Sequence, residues 1–224
     1  MTSVFQNTGQ STPKPPRELL FKVLVVGEFG VGKTAIIRRY CEGAFSFNYK
    51  VTIGVDFALK TLEWDENTKI NLQLWDIAGH ERFGSMTRVY YKYAMAAVIV
   101  FDLSRPVTFF SVPKWYDDLI SKVELPDQRP LPVILLANKC DLPVADDFNM
   151  DSVTDFVASH RLVGCFATSA KDDVNIDAAV EKLVDHILVS RRSSIPNTAS
   201  NGVLLGEEAS ERARPEAAVG RCCR

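Results

Sequence analysis

The sequence of 224 residues lacks a long apolar run and a strong charge of either sign. An apolar stretch runs from Met95 to Phe101, far short of the roughly 18–20 residues that a transmembrane helix requires. The net charge of −2 gives no indication of nucleic-acid binding. The first residues, Met1 to Pro16, are polar and contain no hydrophobic segment, so we expect no secretory signal there.

Cysteine is scarce and irregularly spaced. The five cysteines are Cys41, Cys140, Cys165, Cys222 and Cys223. An odd number, of which the first three are scattered, fits neither a disulfide framework nor a zinc site. We therefore expect a reducing, cytoplasmic setting. Hydrophobic residues make up 46% and charged residues 24%, which is typical of a soluble globular protein and excludes a collagen, a coiled-coil rod and a fully disordered chain.

Composition divides the chain into three parts. Residues 1–17 are rich in proline, serine and threonine, and we predict a flexible N-terminal arm. Residues 18–190 alternate between strand and helix patterns and are predicted to form one folded domain. Residues 191–224 have little apolar content, and we predict a disordered tail with a small positive excess.

The pattern of residues 18–190 predicts an α/β protein. Apolar strand patterns are expected at 19–26, 55–63, 69–75, 95–103, 131–137 and 163–167, and helix patterns at 33–40, 108–124, 151–160 and 175–189. Pro113 is expected in the first turn of the second helix or at a kink, and Trp64–Asn67 is expected to turn an antiparallel hairpin. The alternation predicts a doubly wound, mostly parallel six-stranded sheet with one antiparallel edge strand.

The strongest motif is Gly27-Glu-Phe-Gly-Val-Gly-Lys33-Thr34, which fits the phosphate-loop pattern GxxxxGK[ST] between a strand and a helix. Backbone N–H groups in such a loop, and at the start of its helix, bind phosphate oxygens. Lys33 adds a positive charge at the β- and γ-phosphates, and the Thr34 hydroxyl is placed to bind Mg²⁺. A glycine turn that only joins strand to helix is the alternative, which the flanking pattern disfavours.

Two further motifs follow predicted strands. In Leu74-Trp-Asp76-Ile-Ala-Gly79, Asp76 is positioned to hold Mg²⁺ through water, and the Gly79 N–H is positioned to meet the γ-phosphate. In Asn138-Lys139-Cys140-Asp141, the carboxylate can accept two hydrogen bonds from guanine that adenine does not offer, so Asp141 selects GTP over ATP. Each motif alone is weak, because similar tetrapeptides occur in ordinary turns.

A fourth motif, Thr168-Ser169-Ala170-Lys171, also follows a strand, and Ala170 would donate a backbone N–H to the guanine oxygen. The order of the four motifs resembles the Ras superfamily of small GTPases over roughly residues 19–189. The sequence is most similar to the Rab family, through Ile53–Phe57, Trp75-Asp76, His80–Phe83 and Tyr90-Tyr91. The form Ile77-Ala78-Gly79 is similar to the Rab subgroup associated with lysosome-related organelles.

The resemblance completes the predicted site. It implies that Thr52 reaches Mg²⁺ and the γ-phosphate, and that Phe45 packs edge-on against guanine. The nucleotide-binding residues are then Gly27, Gly30, Val31, Gly32, Lys33, Thr34, Ala35, Phe45, Thr52, Gly79, Asn138, Lys139, Asp141, Ser169, Ala170 and Lys171. The predicted metal ligands are Thr34, Thr52 and Asp76, and the predicted catalytic residues are Lys33, Gly79 and His80.

The resemblance also implies partners. Phe57, Trp75 and Tyr90 match the aromatic triad with which Rabs bind effectors in the GTP state, although core packing is the alternative for them. The adjacent Cys222 and Cys223 resemble a double geranylgeranyl signal. Two lipids are expected because one lipid alone binds membranes only marginally. A monomer is expected on the cytoplasmic face of endosomal, lysosome-related or Golgi-derived membranes. Its expected partners are an exchange factor, a GAP, a GDP-dissociation inhibitor and a Rab escort protein.

Two residues depart from the family pattern near the γ-phosphate. His80 stands where most Rabs have the glutamine that orients the attacking water, and the bulky Phe29 stands where many have a small residue. We therefore predict slow intrinsic hydrolysis. A GAP that supplies its own glutamine would make His80 unimportant. The rival functions are a scarcely hydrolysing GTP-binding scaffold and, more remotely, a P-loop kinase, which Asn138–Asp141 disfavours.

Overall fold

The structure is a computed structural model, and it describes residues 16–192 except 49, 81–86 and 146–147. Its strands are β1 (Arg17–Gly27), β2 (Val55–Asp65), β3 (Thr68–Ile77), β4 (Ala96–Asp102), β5 (Val133–Asn138) and β6 (Gly164–Thr168). Its α-helices are α1 (Lys33–Glu42), α2 (Thr87–Tyr91), α3 (Val112–Lys122), α4 (Met150–Ser159) and α5 (Ile176–Arg192). A 3₁₀ helix at Pro106–Ser111 precedes α3.

The six strands form one sheet in the order β2-β3-β1-β4-β5-β6. β2 and β3 are antiparallel, and every other neighbouring pair is parallel. The predicted α/β fold with one antiparallel edge strand is confirmed. In the sheet, β3 and β4 lie on opposite sides of β1. The carboxyl end of β1 is therefore a topological switch point, where such sheets bind ligands.

The core lies in two apolar layers, one on each face of the sheet. Alternate residues of β1 face opposite layers: Val23 and Val25 pack in one, and Leu24 and Val26 in the other. Helices α1 and α5 cover the first layer, and α3 and α4 cover the second. Strands buried on both faces are therefore apolar along their whole length, as the sequence pattern indicated.

The predicted boundaries need several corrections. Arg17 lies within the expected arm but pairs with Thr68 as the first residue of β1, and α5 continues to Arg192, inside the expected tail. The hairpin strands are longer than predicted, because pairing extends until only Glu66 and Asn67 form the turn. Residues 1–15 of the arm and residues 193–224 of the tail, with Cys222 and Cys223, lie outside the described residues.

Two helical segments also differ from the prediction. The helix expected at 108–124 is a 3₁₀ helix followed by α3, because the Thr108 hydroxyl accepts from the Asp102 N–H at 2.9 Å and donates to the Arg105 carbonyl at 2.8 Å. Pro113 lies in the first turn of α3, as expected. Helix α2 was not predicted; its five residues are too few for a helical period, and Tyr91 anchors it in the core.

Within the described ranges, no helix is long and apolar enough to cross a membrane. The three cysteines of the described part, Cys41, Cys140 and Cys165, are free thiols.

The central strand provides a test of the two-layer core. Ile99 of β4 is fully buried, so Ile99→Ala should lower the free energy of unfolding by about 2–5 kcal/mol because it removes buried methyl groups and leaves a cavity. Ile120→Ala, on the exposed side of α3, should cost about 1 kcal/mol or less. Denaturant unfolding at a fixed GDP concentration measures both, and equal losses would contradict the assignment of Ile99 to the core.

Candidate nucleotide-binding site

Buried polar side chains cluster at one edge of the sheet. The carboxyl ends of the parallel strands meet there, and four of them contribute a polar group that is almost fully buried. The groups are Asp76 near the end of β3, Asp102 at the end of β4, Asn138 at the end of β5 and Thr168 at the end of β6. The loop 28–32 follows β1 at the same edge and leads into α1. All four sequence motifs therefore converge on one site.

Close backbone contacts explain the glycines of this loop. Gly27 has a φ of +140°, and a Cβ there would lie 2.1 Å from the Val100 carbonyl oxygen. Gly32 has a φ of +101°, and a Cβ there would lie 2.3 Å from the Asn138 amide nitrogen. Side chains at either position would collide with β4 or β5, so glycine is needed to seat the loop against the sheet.

Lys33 begins α1 and points back into the loop. Its side chain is only 7% exposed, and Nζ donates hydrogen bonds of 2.9 Å to the carbonyl oxygens of Gly27 and Glu28. Burial lowers the pKa of Lys33 to about 8, although the charges of Asp76 and Glu28 act in the opposite direction. A phosphate group beside this ammonium would favour its charged form.

Asp76, Thr34 and Thr52 form a cluster of oxygen atoms. The Thr34 hydroxyl donates to Asp76 Oδ2, the two threonine hydroxyls lie 2.8 Å apart, and Thr52 Oγ1 lies 3.3 Å from Asp76 Oδ2. Asp76 is 2% exposed, and its Oδ1 accepts no hydrogen bond from the described residues. Burial raises the pKa of Asp76 despite the hydrogen bond from Thr34 and the charge of Lys33.

This cluster fits Mg²⁺, which prefers hard oxygen ligands and keeps several waters. A buried carboxylate with an unpartnered oxygen is unfavourable unless a cation or water satisfies it. Thr34 and Thr52 would offer hydroxyl ligands, and Asp76 would hold the ion directly or through water. The structure thus brings the three predicted metal ligands together.

Gly79 packs directly on the phosphate loop. A Cβ at Gly79 would lie 2.5 Å from the Phe29 nitrogen and 2.8 Å from the Glu28 carbonyl carbon. The segment after β3 can therefore approach the loop only with glycine at this position. Next to it, His80 is exposed, and residues 81–83 of the predicted Rab-like stretch lie outside the described residues.

The predicted guanine motif contains one residue that supports the loop and one that contacts the fourth motif. Asn138 Nδ2 donates to the Val31 carbonyl at 2.8 Å, so this amide fixes the loop. Asp141 accepts from the Ser169 hydroxyl at 2.7 Å and lies 3.7 Å from Lys171 Nζ. The carboxylate is thus held by two residues of the fourth motif.

Asp102 is a site residue that motif analysis missed. It is fully buried and lies 2.7 Å from Lys139 Nζ and 2.8 Å from Arg105 Nε. Burial alone would raise its pKa, but hydrogen bonds from Lys139, Ser104 and Arg105 lower the pKa below its usual value. Arg105 also donates to the Phe29 carbonyl at 3.2 Å. Asp102 therefore connects the guanine motif to the phosphate loop.

A cavity of about 250 Å³ opens beside these residues. The predicted residues that line it are Gly30, Gly32, Lys33, Thr34, Ala35, Phe45, Thr52, Gly79 and Lys139. The other predicted nucleotide residues are Gly27, Val31, Asn138, Asp141, Ser169, Ala170 and Lys171. Lining residues outside the predicted set include Arg38, Phe47, Asn48 and Lys50. Phe47 contacts Phe45 edge-to-face at 5.2 Å between ring centroids, so two aromatic rings border the expected position of the base.

The predicted effector residues lie at the antiparallel edge. Phe57 of β2 is paired in register with Trp75 of β3, and their rings stack at 6.0 Å between centroids. Phe57 is 63% exposed. Trp75 is half-buried and has Lys22 Nζ 3.5 Å from its ring centroid, and Tyr90 is half-buried on α2. Packing within the protein thus buries part of the Trp75 and Tyr90 side chains but leaves most of the Phe57 side chain exposed.

The loop between β1 and α1, the buried Lys33 and the oxygen cluster beside it together have the arrangement of a P-loop protein. Residues 22–189 match the model of the Ras family, and the chain belongs to that family.

Its similarity to individual relatives narrows the class. The chain is 56% identical over 188 residues to Ras-related protein Rab-32 from Homo sapiens, covering 84% of this chain and 83% of the relative. It is 54% identical over 193 residues to Rab-32 from Sus scrofa, covering 86% and 85%. It is 46% identical over 187 residues to Ras-related protein Rab-7L1 from Homo sapiens, covering 83% and 91%. The chain is therefore a Rab GTPase, which binds GTP and GDP and acts in membrane trafficking.

The lowered pKa of Lys33 predicts a linkage between phosphate binding and protonation. At pH 8 about half of the Lys33 side chains are neutral without nucleotide, since the pKa is about 8. Adjacent phosphates raise that pKa, so GDP binding at pH 8 should take up about half a proton. Calorimetry in two buffers of different ionisation enthalpy measures this uptake. Lys33→Arg, whose side chain stays charged, should take up none, and equal uptake by both proteins would contradict the assignment.

The connection through Arg105 predicts an effect on nucleotide retention. Arg105→Ala removes the hydrogen bonds to Asp102 and to the Phe29 carbonyl, so the loop should be less well fixed. Release of a fluorescent GDP should become about fivefold faster, a modest factor because Arg105 is partly exposed. The control is Lys69→Ala, which breaks an exposed pair with Glu63 in the hairpin. Equal rates for the two variants would show that Arg105 does not hold the loop.

Proposed function

We propose that this Rab GTPase is a GTP/GDP switch with slow intrinsic hydrolysis, and that it acts on the cytoplasmic face of endosomal or lysosome-related membranes. The observation that carries the slow hydrolysis is the contact of Gly79 with the phosphate loop at Phe29. This contact puts His80 beside the edge of the site where the γ-phosphate is expected. The similarity to Rab-32 supports the choice of membranes.

The reaction is an in-line attack of water on the γ-phosphate of GTP, with GDP as the leaving group. Such a reaction needs electrostatic stabilisation and a well-placed water rather than a covalent nucleophile. Lys33 and the backbone N–H groups of the loop and of Gly79 would stabilise charge on the phosphate oxygens. Mg²⁺ bound by Thr34, Thr52 and Asp76 would neutralise part of the same charge.

In this proposal His80 would contact the attacking water. A glutamine amide can accept from that water and donate to a phosphate oxygen at the same time. An imidazole ring also donates and accepts, but its two nitrogens lie on a rigid ring, so its reach is different. Phe29 is 49% exposed and lines the cavity, so its ring would take up space there. Both features favour a longer-lived GTP state.

Contacts in the site also explain how the nucleotide would control effector binding. The Thr52 hydroxyl belongs to the oxygen cluster, and the Ala78 N–H donates to the Gly54 carbonyl at 3.0 Å. The segments on either side of the β2–β3 edge are therefore tied to each other and to the Mg²⁺ site. We propose that GTP orders the segments 45–56 and 76–90, and that hydrolysis releases them. Effectors would bind through Phe57, Trp75 and Tyr90.

The remaining expectations belong to the same proposal. An exchange factor and a GAP would set the nucleotide state, and a Rab escort protein would present Cys222 and Cys223 for geranylgeranylation. A GDP-dissociation inhibitor would carry the lipids through the cytosol. The rival function, a GTP-bound scaffold that scarcely hydrolyses, rests on the same two residues, His80 and Phe29, and differs only in the rate.

Single-turnover GTP hydrolysis tests the slow rate. His80→Gln should hydrolyse GTP about tenfold faster than the wild type, which corresponds to about 1.4 kcal/mol in the barrier. Phe29→Ser should produce a smaller increase, because it frees space without supplying an amide. GTP affinity, measured in parallel, should stay the same in all three proteins.

Equal rates for the wild type and His80→Gln would refute the proposed role of His80 and leave an ordinary cycling Rab. A wild type with no measurable turnover, together with an active His80→Gln, would instead favour the scaffold.

A further inference from the structure

A second cavity lies apart from the candidate nucleotide site. Its volume is about 790 Å³, larger than that of the nucleotide cavity. It is lined by Ala94 and Met95 just before β4, by Pro130 and Pro132 just before β5, and by the last turns of α5. Since β4 and β5 are parallel, their amino ends lie at the edge of the sheet opposite the nucleotide site. The cavity is therefore at the pole of the domain where α5 ends and the tail begins.

The lining of this cavity is predominantly cationic. Five basic side chains line it, against two carboxylates: Arg88, Lys92, Lys122, Arg129 and Arg191 against Glu124 and Asp127. Lys122 pairs with Asp118, and Arg129 pairs with Asp127. Among the described residues, no carboxylate pairs with Arg88, Lys92 or Arg191. Within that part of the chain, the cavity therefore carries three positive charges without a paired carboxylate.

Two of these cations are held near aromatic rings. Lys92 Nζ lies 4.8 Å from the centroid of the Tyr93 ring, and the Arg191 guanidinium lies 5.6 Å from that of Phe21. Tyr93 is exposed and has a φ of +64°. An exposed tyrosine beside lysine and arginine is a common arrangement where a protein surface meets lipid headgroups, because the ring is amphipathic.

We propose that this cavity binds a phosphorylated, multiply anionic lipid headgroup, such as that of an inositol phospholipid. That this cavity faces the membrane rests on the proposed function, in which the tail after Arg192 carries the lipid anchor. The tail after Arg192 offers little electrostatic attraction of its own: residues 193–224 contain four arginines and four glutamates. Basic residues at an anionic membrane surface strengthen attachment, so the folded domain would supply the charge that the tail lacks.

Vesicle binding by the full, unprenylated chain loaded with GDP tests this site. The vesicles are phosphatidylcholine containing phosphatidylinositol phosphate, or phosphatidylcholine with phosphatidylserine at the same surface charge. Binding should be stronger to the first, and Lys92→Gln with Arg191→Gln should weaken it about tenfold or more. The matched control is Lys114→Gln with Lys182→Gln, which removes two exposed charges elsewhere and should change binding less than about twofold.

Three results would overturn the proposal. The first is equal binding to both vesicles, which would show attraction to charge alone. The second is an equal loss in the control variant. The third is binding of soluble inositol phosphate without binding to vesicles, which would make the ligand a soluble phosphate. GDP release is followed in the same samples, so a chain that fails as a switch is distinguished from one that fails only at this cavity.

Discussion

The buried carboxylate of Asp76 is the constraint on which the nucleotide site depends. Its Oδ2 accepts hydrogen bonds from the hydroxyls of Thr34 and Thr52, and its Oδ1 has no hydrogen-bond partner among the described residues. Such a group is costly in the interior unless a cation or ordered water completes it. The same carboxylate ties the phosphate loop, through Thr34, to the segment before β2, through Thr52. Binding of a cation by the oxygen cluster is therefore expected to be coupled to the position of the segment before β2, next to the antiparallel β2–β3 edge.

The rest of the site is organised so that no motif acts alone. Asn138 holds the Val31 carbonyl, and Asp102 holds Lys139 and, through Arg105, the Phe29 carbonyl. The segment with the predicted base-selecting motif thus also fixes the predicted phosphate loop. This arrangement follows from the parallel sheet, which brings the carboxyl ends of its strands to one edge.

The sequence predicted local patterns well and long-range contacts poorly. The buried strands were found because they are apolar on both faces, and Gly27 to Thr34 was found because its spacing is specific. Asp102 was missed because Lys139, with which it pairs, and Phe29, which it reaches through Arg105, are distant in the sequence. An aspartate that ends an apolar strand, as Asp76 nearly does, was nevertheless an available signal. Helix α2 was missed because a single turn has no periodicity and depends on the burial of Tyr91. Strand ends were shifted because pairing, as between Arg17 and Thr68, extends beyond the apolar run.

The most direct test of the account compares GDP release with and without Mg²⁺ in the wild type and in Asp76→Asn. The asparagine keeps the size of the side chain but removes the charge that would hold the ion. In the wild type, removing Mg²⁺ with EDTA should speed GDP release at least about tenfold, and Asp76→Asn should lose most of that difference. An equal effect of Mg²⁺ on both proteins would contradict the role of Asp76 in holding the ion. It would also contradict the coupling between the ion and the segment next to the β2–β3 edge.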